Sequence, residues 1–124
     1  MRDLNGKVAW ITGAGTGIGS GAAIALASAG MQVVLSGRRE EKLKEVAAAC
    51  HGNAHIEILD VANKDDVLAV VERIKTRLGR IDVMVASAGI NVKNRNWHNV
   101  TLDDWDSVNR IELAGAFYCC KAVL

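Results

Sequence analysis

Residues 12–19 read Thr12-Gly13-Ala14-Gly15-Thr16-Gly17-Ile18-Gly19. The short apolar run Val8-Ala9-Trp10-Ile11 stands before them and an alanine-rich stretch follows. Glycines at such a junction permit a tight turn, close approach of a ligand, or close packing of a helix on a strand. A strand–turn–helix of this kind also aims backbone N–H groups and the positive end of a helix dipole at an anion such as a pyrophosphate. Taken alone, the same glycines would serve an ordinary tight turn with nothing bound. The rest of the chain gives the turn its context.

Outward from that turn, apolar runs and helical periods alternate. Residues 8–12 read as a strand. Residues 17–29 read as a helix with Ile18, Ala22, Ala25, Leu26 and Ala29 on its inner side, stopped by Gly30. A second strand covers 32–36. A helix over 40–50 turns Leu43, Val46 and Ala47 inward. A third strand covers 55–60. A helix running from 63 or 64 to 78 carries Val67, Val70, Val71, Ile74 and Leu78, and Gly79 ends it. A fourth strand, 81–86, is expected to be buried on both faces. The connection 87–100 is long and polar, with Asn91, Lys93, Asn94, Arg95 and Asn96, and a connection of that length is often functional. Thr101 to Asp104 forms a short-side-chain capping box opening a helix through Trp105. A last helical stretch runs from about Glu112 to Leu124 with no stop signal. This alternation argues for an α/β parallel sheet with helices on both faces and right-handed crossovers.

The 124 residues suit one small domain, 1–124. Fifteen Lys and Arg against 14 Asp and Glu leave a net charge of +1, which gives no electrostatic case for nucleic acid or an anionic membrane as partner. No apolar run is long enough to span a bilayer, and residues 1–7 contain no apolar core of a secretory signal. Cys50, Cys119 and Cys120 have no metal-site spacing and read as free thiols of a reducing compartment, so a cytoplasmic location is expected. His51, His55 and His98 form no ligand cluster and read as solvated or capping residues, and no metal is expected.

The glycine spacing is G-x-x-x-G-x-G at Gly13, Gly17 and Gly19. Together with Thr12 and Ile18 it resembles the T-G-x-x-x-G-I-G signature of the short-chain dehydrogenase/reductase family. Four more stretches resemble that family in the same order: Gly37-Arg38-Arg39, Asp60-Val61, Ala88-Gly89 and Gly115-Ala116-Phe117. The resemblance covers the whole chain. It implies a Rossmann-type doubly wound parallel sheet, present here as one βαβαβ half, a fourth strand, a following helix and part of the next. It also implies a nicotinamide cofactor, contacted by Gly13, Gly15, Thr16, Gly17, Ile18, Gly19, Arg38, Arg39, Asp60, Val61, Ala86, Ala88 and Gly89. The second strand ends in Leu35-Ser36-Gly37-Arg38-Arg39, with no carboxylate before Glu40. An acid there would hold the 2′-hydroxyl of NAD(H), whereas Arg38 has the planar fork suited to the 2′-phosphate of NADP(H), which is therefore favoured. The family's NADP-preferring members often carry a basic residue where Thr16 stands. Asp60 is read either as an adenine contact or as a cap for the helix starting near Asn63. The family's Asn-Asn-Ala-Gly appears as Ala86-Ser87-Ala88-Gly89, which leaves the backbone contacts intact, while any stiffening side-chain bond is either lost or made by Ser87 instead.

The resemblance implies catalysis by a Ser, a Tyr and a Lys, with an Asn that orders a water. Tyr118 is the one tyrosine, and Lys121 follows it by three rather than four residues, so Tyr118 reads as packing and not as the catalyst. Counting from Trp105-Asp106 and Gly115-Ala116-Phe117 puts the family's Asn at Glu112, either a carboxylate beside the chemistry or a residue opening a helix. The family implies a small-molecule carbonyl or secondary alcohol as substrate, and a homo-oligomer through the last helix, with Phe117, Val123 and Leu124 uncovered in this chain. Three readings stay open: the amino-terminal half of an NADP(H)-dependent oxidoreductase, inactive alone; a non-catalytic NADP(H)-binding module; and a truncated remnant that does not fold.

Overall fold

The computed structural model describes residues 3–92 and 95–124; Lys93 and Asn94 of the long connection, and Met1 and Arg2, lie outside the described residues. Four strands, β1 (Val8–Thr12), β2 (Gln32–Gly37), β3 (Ala54–Ile58) and β4 (Val83–Ala86), form one sheet in the order β3-β2-β1-β4, every pair parallel. Helices α1 (Gly17–Ser28), α2 (Glu40–Ala48) and α3 (Lys64–Leu78) make the crossovers. Leu102–Val108 (α4), a π-helical turn Asn109–Ala114 and Gly115–Val123 (α5) follow β4. This is the Rossmann-type arrangement.

The period of two along β1 builds two cores. Ala9 and Ile11 of β1 and Val33 and Leu35 of β2 meet Ala23 and Ala27 of α1 and Leu43 and Val46 of α2. Val8, Trp10 and Val34 point the other way, onto Val67, Val70, Val71 and Ile74 of α3 and Cys119 of α5. Trp10 is completely buried, and its indole N–H donates to Ser36 Oγ at 2.9 Å, so the one polar atom of the ring is satisfied. Apolar positions predicted for α2 and α3 face the sheet as read. Asn63 caps α3 by accepting from the Asp66 N–H, and Gly79 ends it in the left-handed region at φ 80°. Thr101 and Asp104 form the predicted reciprocal capping box.

Five expectations need correction. The inner face of α1 is Gly19, Ala23 and Ala27, while Ile18, Ala25 and Ala29 are exposed. A helix made of Gly, Ala and Ser offers too little apolar contrast for periodicity to select a face. β4 is not buried on both sides. It is an edge of this sheet, with Val83 to Val85 half-buried and Ala86 exposed, and Asp82 just before it turns its carboxylate onto the Val8 N–H at 2.8 Å. The two separate helices expected after Thr101 are one continuous helical path, because the π turn carries the chain from α4 into α5. Val123 is partly buried against the second core, whereas Phe117 and Leu124 are exposed as expected. His55 is neither solvated nor a cap: its ring sits half-buried between Gln32 and Arg77.

Candidate functional site

From β1 the chain winds outward through β2 to β3, then returns to place β4 on the other flank of β1. The strand order therefore reverses at β1, and a crevice opens at the carboxyl ends of the strands there. Gly13 holds φ 62°, and a Cβ on it would lie 2.6 Å from the Ser87 carbonyl oxygen, so only glycine lets the turn after β1 meet the loop after β4. A Cβ on Gly19 would collide with the Gly13 carbonyl, which brings the first turn of α1 hard against the strand end. Gly17 holds φ 57° with open space on its Cβ side.

Thr16 precedes α1 in an extended conformation and makes no side-chain cap, and no acidic residue stands in the first turn. Among the described residues nothing accepts from the amides of Gly17, Ile18 and Gly19. A helix start with free N–H groups, open space and no competing carboxylate is a fit for an anionic group.

The crevice encloses about 390 Å³. Gly13, Gly15, Thr16, Arg38, Arg39, Asp60, Val61, Ala88 and Gly89 line it, all singled out from the sequence. Gly17, Gly19 and Ile18 stand behind this lining in α1, with the Ile18 side chain in solvent, and Ala86 sits at the end of β4 opposite Thr12. Arg38 and Arg39 are exposed between β2 and α2. Asp60 does not cap α3; its Oδ1 accepts from the Ala62 N–H at 3.0 Å, a local turn that leaves the residue on the crevice wall. The side chain linking β1 to β4 is that of Thr12, whose Oγ1 donates to the Val85 carbonyl over a long 3.5 Å.

Lys42, Leu43, Leu59, Ile90 and Ile111 line the crevice without having been marked from the sequence. Lys42 had a signal: it follows Arg39 by three residues in the first turn of α2, so the two share a side of the helix. Ile90 also had one, since it directly follows Ala88-Gly89, whereas Ile111 had none and lies in the π turn. Glu112 is outside the lining, yet its Oε1 accepts from the Ile90 N–H at 3.2 Å. Tyr118 lies away from the crevice, half-buried against the second core.

The remaining reactive groups are elsewhere. Burial pushes the Cys119 thiol up to about 12 and raises that of Cys50, so neither offers a thiolate near neutral pH. Among the described residues no group of His, Cys, Asp and Glu is placed to hold a metal ion, and no helix is long and apolar enough to cross a membrane.

The sequence matches the family model described as short chain dehydrogenase over residues 7–124. An uncharacterized oxidoreductase of Staphylococcus saprophyticus is 37% identical over 128 residues, spanning the whole of this chain and 54% of its own. The crystal structure of a short chain dehydrogenase from Bacillus anthracis superposes with a TM-score of 0.91 at 35% identity, over 97% of this chain and 51% of that one. The 3-ketoacyl-(acyl-carrier-protein) reductase of Brucella melitensis, solved with NADH, gives 0.92 at 32% identity, over 98% of this chain and 50% of that one. The chain thus spans about half the length of the relatives it matches. A parallel sheet with its glycine turn at the switch point, matched over nearly the whole sequence, makes this chain a member of the short-chain dehydrogenase family.

Proposed function

We propose that the chain is the cofactor-binding half of an NADP(H)-dependent oxidoreductase that interconverts a carbonyl and a secondary alcohol. The observation that carries this reading is one crevice joining the glycine turn to Arg38, Arg39 and Lys42, with no carboxylate at the end of β2. The free amides of Gly17, Ile18 and Gly19, with Gly13, Gly15 and Thr16 around them, hold the pyrophosphate. Arg38 and Arg39 hold the 2′-phosphate, as a planar fork and a second cation. Asp60 and Val61 flank the adenine. Ala86, Ala88 and Gly89 offer backbone toward the nicotinamide half. When bound, the nicotinamide gives or takes a hydride. NADH in the Brucella melitensis reductase marks the alternative cofactor, and the cations of this crevice favour NADP(H) over it.

The 124 residues alone do not turn over substrate in this reading. Tyr118 is packed on the second core, and Lys121 follows it by three residues, not the four that the family resemblance implies. The protein works in the cytoplasm without nucleic acid or membrane, and pairs with its own kind through the exposed Leu113 and Phe117 of its last helical path. A non-catalytic NADP(H)-binding subunit is the second reading, favoured by Glu112 at the family's Asn position; cofactor-dependent turnover by the whole protein excludes it.

Fluorescence titration of NADPH and NADH into the protein and its Arg38→Ala variant tests the cofactor assignment. Losing a charge-assisted phosphate contact weakens NADPH about 10- to 100-fold, while NADH affinity stays within about threefold. Equal losses for both cofactors would contradict the assignment.

A further inference from the structure

Glu112 sits in the π-helical turn Asn109–Ala114. Its Oε1 reaches across 22 positions of sequence to the Ile90 N–H at 3.2 Å. The carboxylate also lies on Gly89: a Cβ there would come to 3.0 Å from the same oxygen. At the other end of the turn, Gly115 presses on the connection between β3 and α3, where a Cβ would fall 2.6 Å from Val61 Cγ2. Val61, Gly89 and Ile90 all line the crevice, and Ile111, inside the turn, lines it between them. The turn therefore touches both crevice walls, one through a glycine backbone and one through a carboxylate.

The two contacts fall on the π turn and on the residue that follows it. A π turn accommodates one more residue than the α-helical path it replaces. Glu112 lies within the turn and Gly115 directly after it, so the contacts to Ile90 and Val61 are made within about one turn of helix. An exposed Glu whose only role was to favour a helix start would need no partner so remote in sequence.

We infer that Glu112 is a positioning residue: its carboxylate fastens the loop Ala88–Gly89–Ile90 to the π turn and so sets the width of the cofactor crevice. The function assigned to this side chain is that of an acceptor for one backbone N–H, with no proton transfer. Its effect on cofactor affinity rests on the proposed cofactor function; the fastening itself does not.

The experiment compares the protein with Glu112→Ala and Glu112→Gln by amide hydrogen exchange at Ile90 without cofactor, by NADPH titration, and by thermal melting. Glu112→Ala speeds Ile90 exchange and weakens NADPH, each about threefold to tenfold, with the melting temperature unchanged. Glu112→Gln keeps an acceptor oxygen and restores both. Equal Ile90 exchange in parent and Glu112→Ala overturns the fastening. A glutamine variant behaving like the alanine variant overturns the acceptor role. A parent that binds NADPH and an alanine variant that binds it equally well overturn the link to the crevice. Absence of saturable NADPH binding by the parent overturns that link together with the cofactor reading, while the exchange comparison still decides the fastening.

Discussion

The two ends of the sheet are built from opposite materials. At the amino end, polar side chains satisfy one another. Asp82 accepts from the Val8 N–H at 2.8 Å and pairs with Arg80. His55 meets Gln32 at 2.8 Å, Gln32 meets Asn53 at 3.2 Å, and Arg77 reaches the other His55 nitrogen at 3.4 Å. At the carboxyl end the shape is set by backbone, through Gly13 and Gly19, the cations Arg38, Arg39 and Lys42 line the crevice, and among the described residues nothing accepts from the amides of Gly17, Ile18 and Gly19. A polar group unpaired beside a cavity is free to meet a ligand, whereas the same group in a closed network contributes to stability. Changes at the carboxyl end should therefore register in binding, and changes at the amino end in stability.

The largest effect should come where shape and binding coincide. Gly19→Val forces a branched side chain into the Gly13 carbonyl and costs about 3 kcal/mol of stability, with NADPH binding lost. Urea denaturation and titration measure both, and a variant with parental stability would break the claim that backbone contact shapes this end. Next is Lys42→Met, which keeps the apolar stem over Gly15 and removes one cation from the wall. NADPH affinity should fall about threefold to tenfold and the urea midpoint should stay put. A shifted midpoint with unchanged affinity would place Lys42 with the structural charges instead.

The smallest effect belongs to the amino end. Burial, and secondarily the Arg77 charge, lowers the His55 pKa below its ordinary 6.5. The unfolded chain then binds the proton more readily than the folded one. The contribution of neutral His55 is complete above pH 6.5, declines as the pH falls toward the lowered value, and levels off below it. Neutral His55 accepts from Arg77 at Nδ1 and donates from Nε2 to Gln32; an imidazolium has no acceptor for Arg77. Stability measured at about pH 7.5 and about pH 5.5 should differ less in His55→Gln than in the parent, with NADPH affinity at neutral pH unaltered. An identical pH dependence in both proteins would remove His55 from the account.

The legible parts of the sequence were those with strong contrast. Val67, Val70, Val71 and Ile74 stand out against a charged α3, and the glycine turn and Arg38 are read from adjacent residues. What was hidden depended on partners distant in sequence. The inner face of α1 is chosen by Gly19 meeting Gly13, not by hydrophobicity. β4 looked like a strand buried on both faces because the sequence does not show which strand stands at the edge. Asp60 could turn toward Ala62 or cap α3, and local residues did not distinguish these. Glu112 could be counted into place, but its contact with Ile90 depends on a π turn that no local pattern announces.

The central claim is that the free start of α1 and the cations beyond β2 hold one ligand, an NADP(H) molecule. NMR titration of NADPH into isotopically labelled protein tests it most directly. The account predicts saturable shifts of the amides of Gly13 through Gly19 together with Arg38 and Arg39, all with one dissociation constant, and smaller responses at the Arg38 and Arg39 amides when NADH replaces NADPH. Saturable shifts confined to another surface, or none at the amides of Gly17, Ile18 and Gly19, would contradict it.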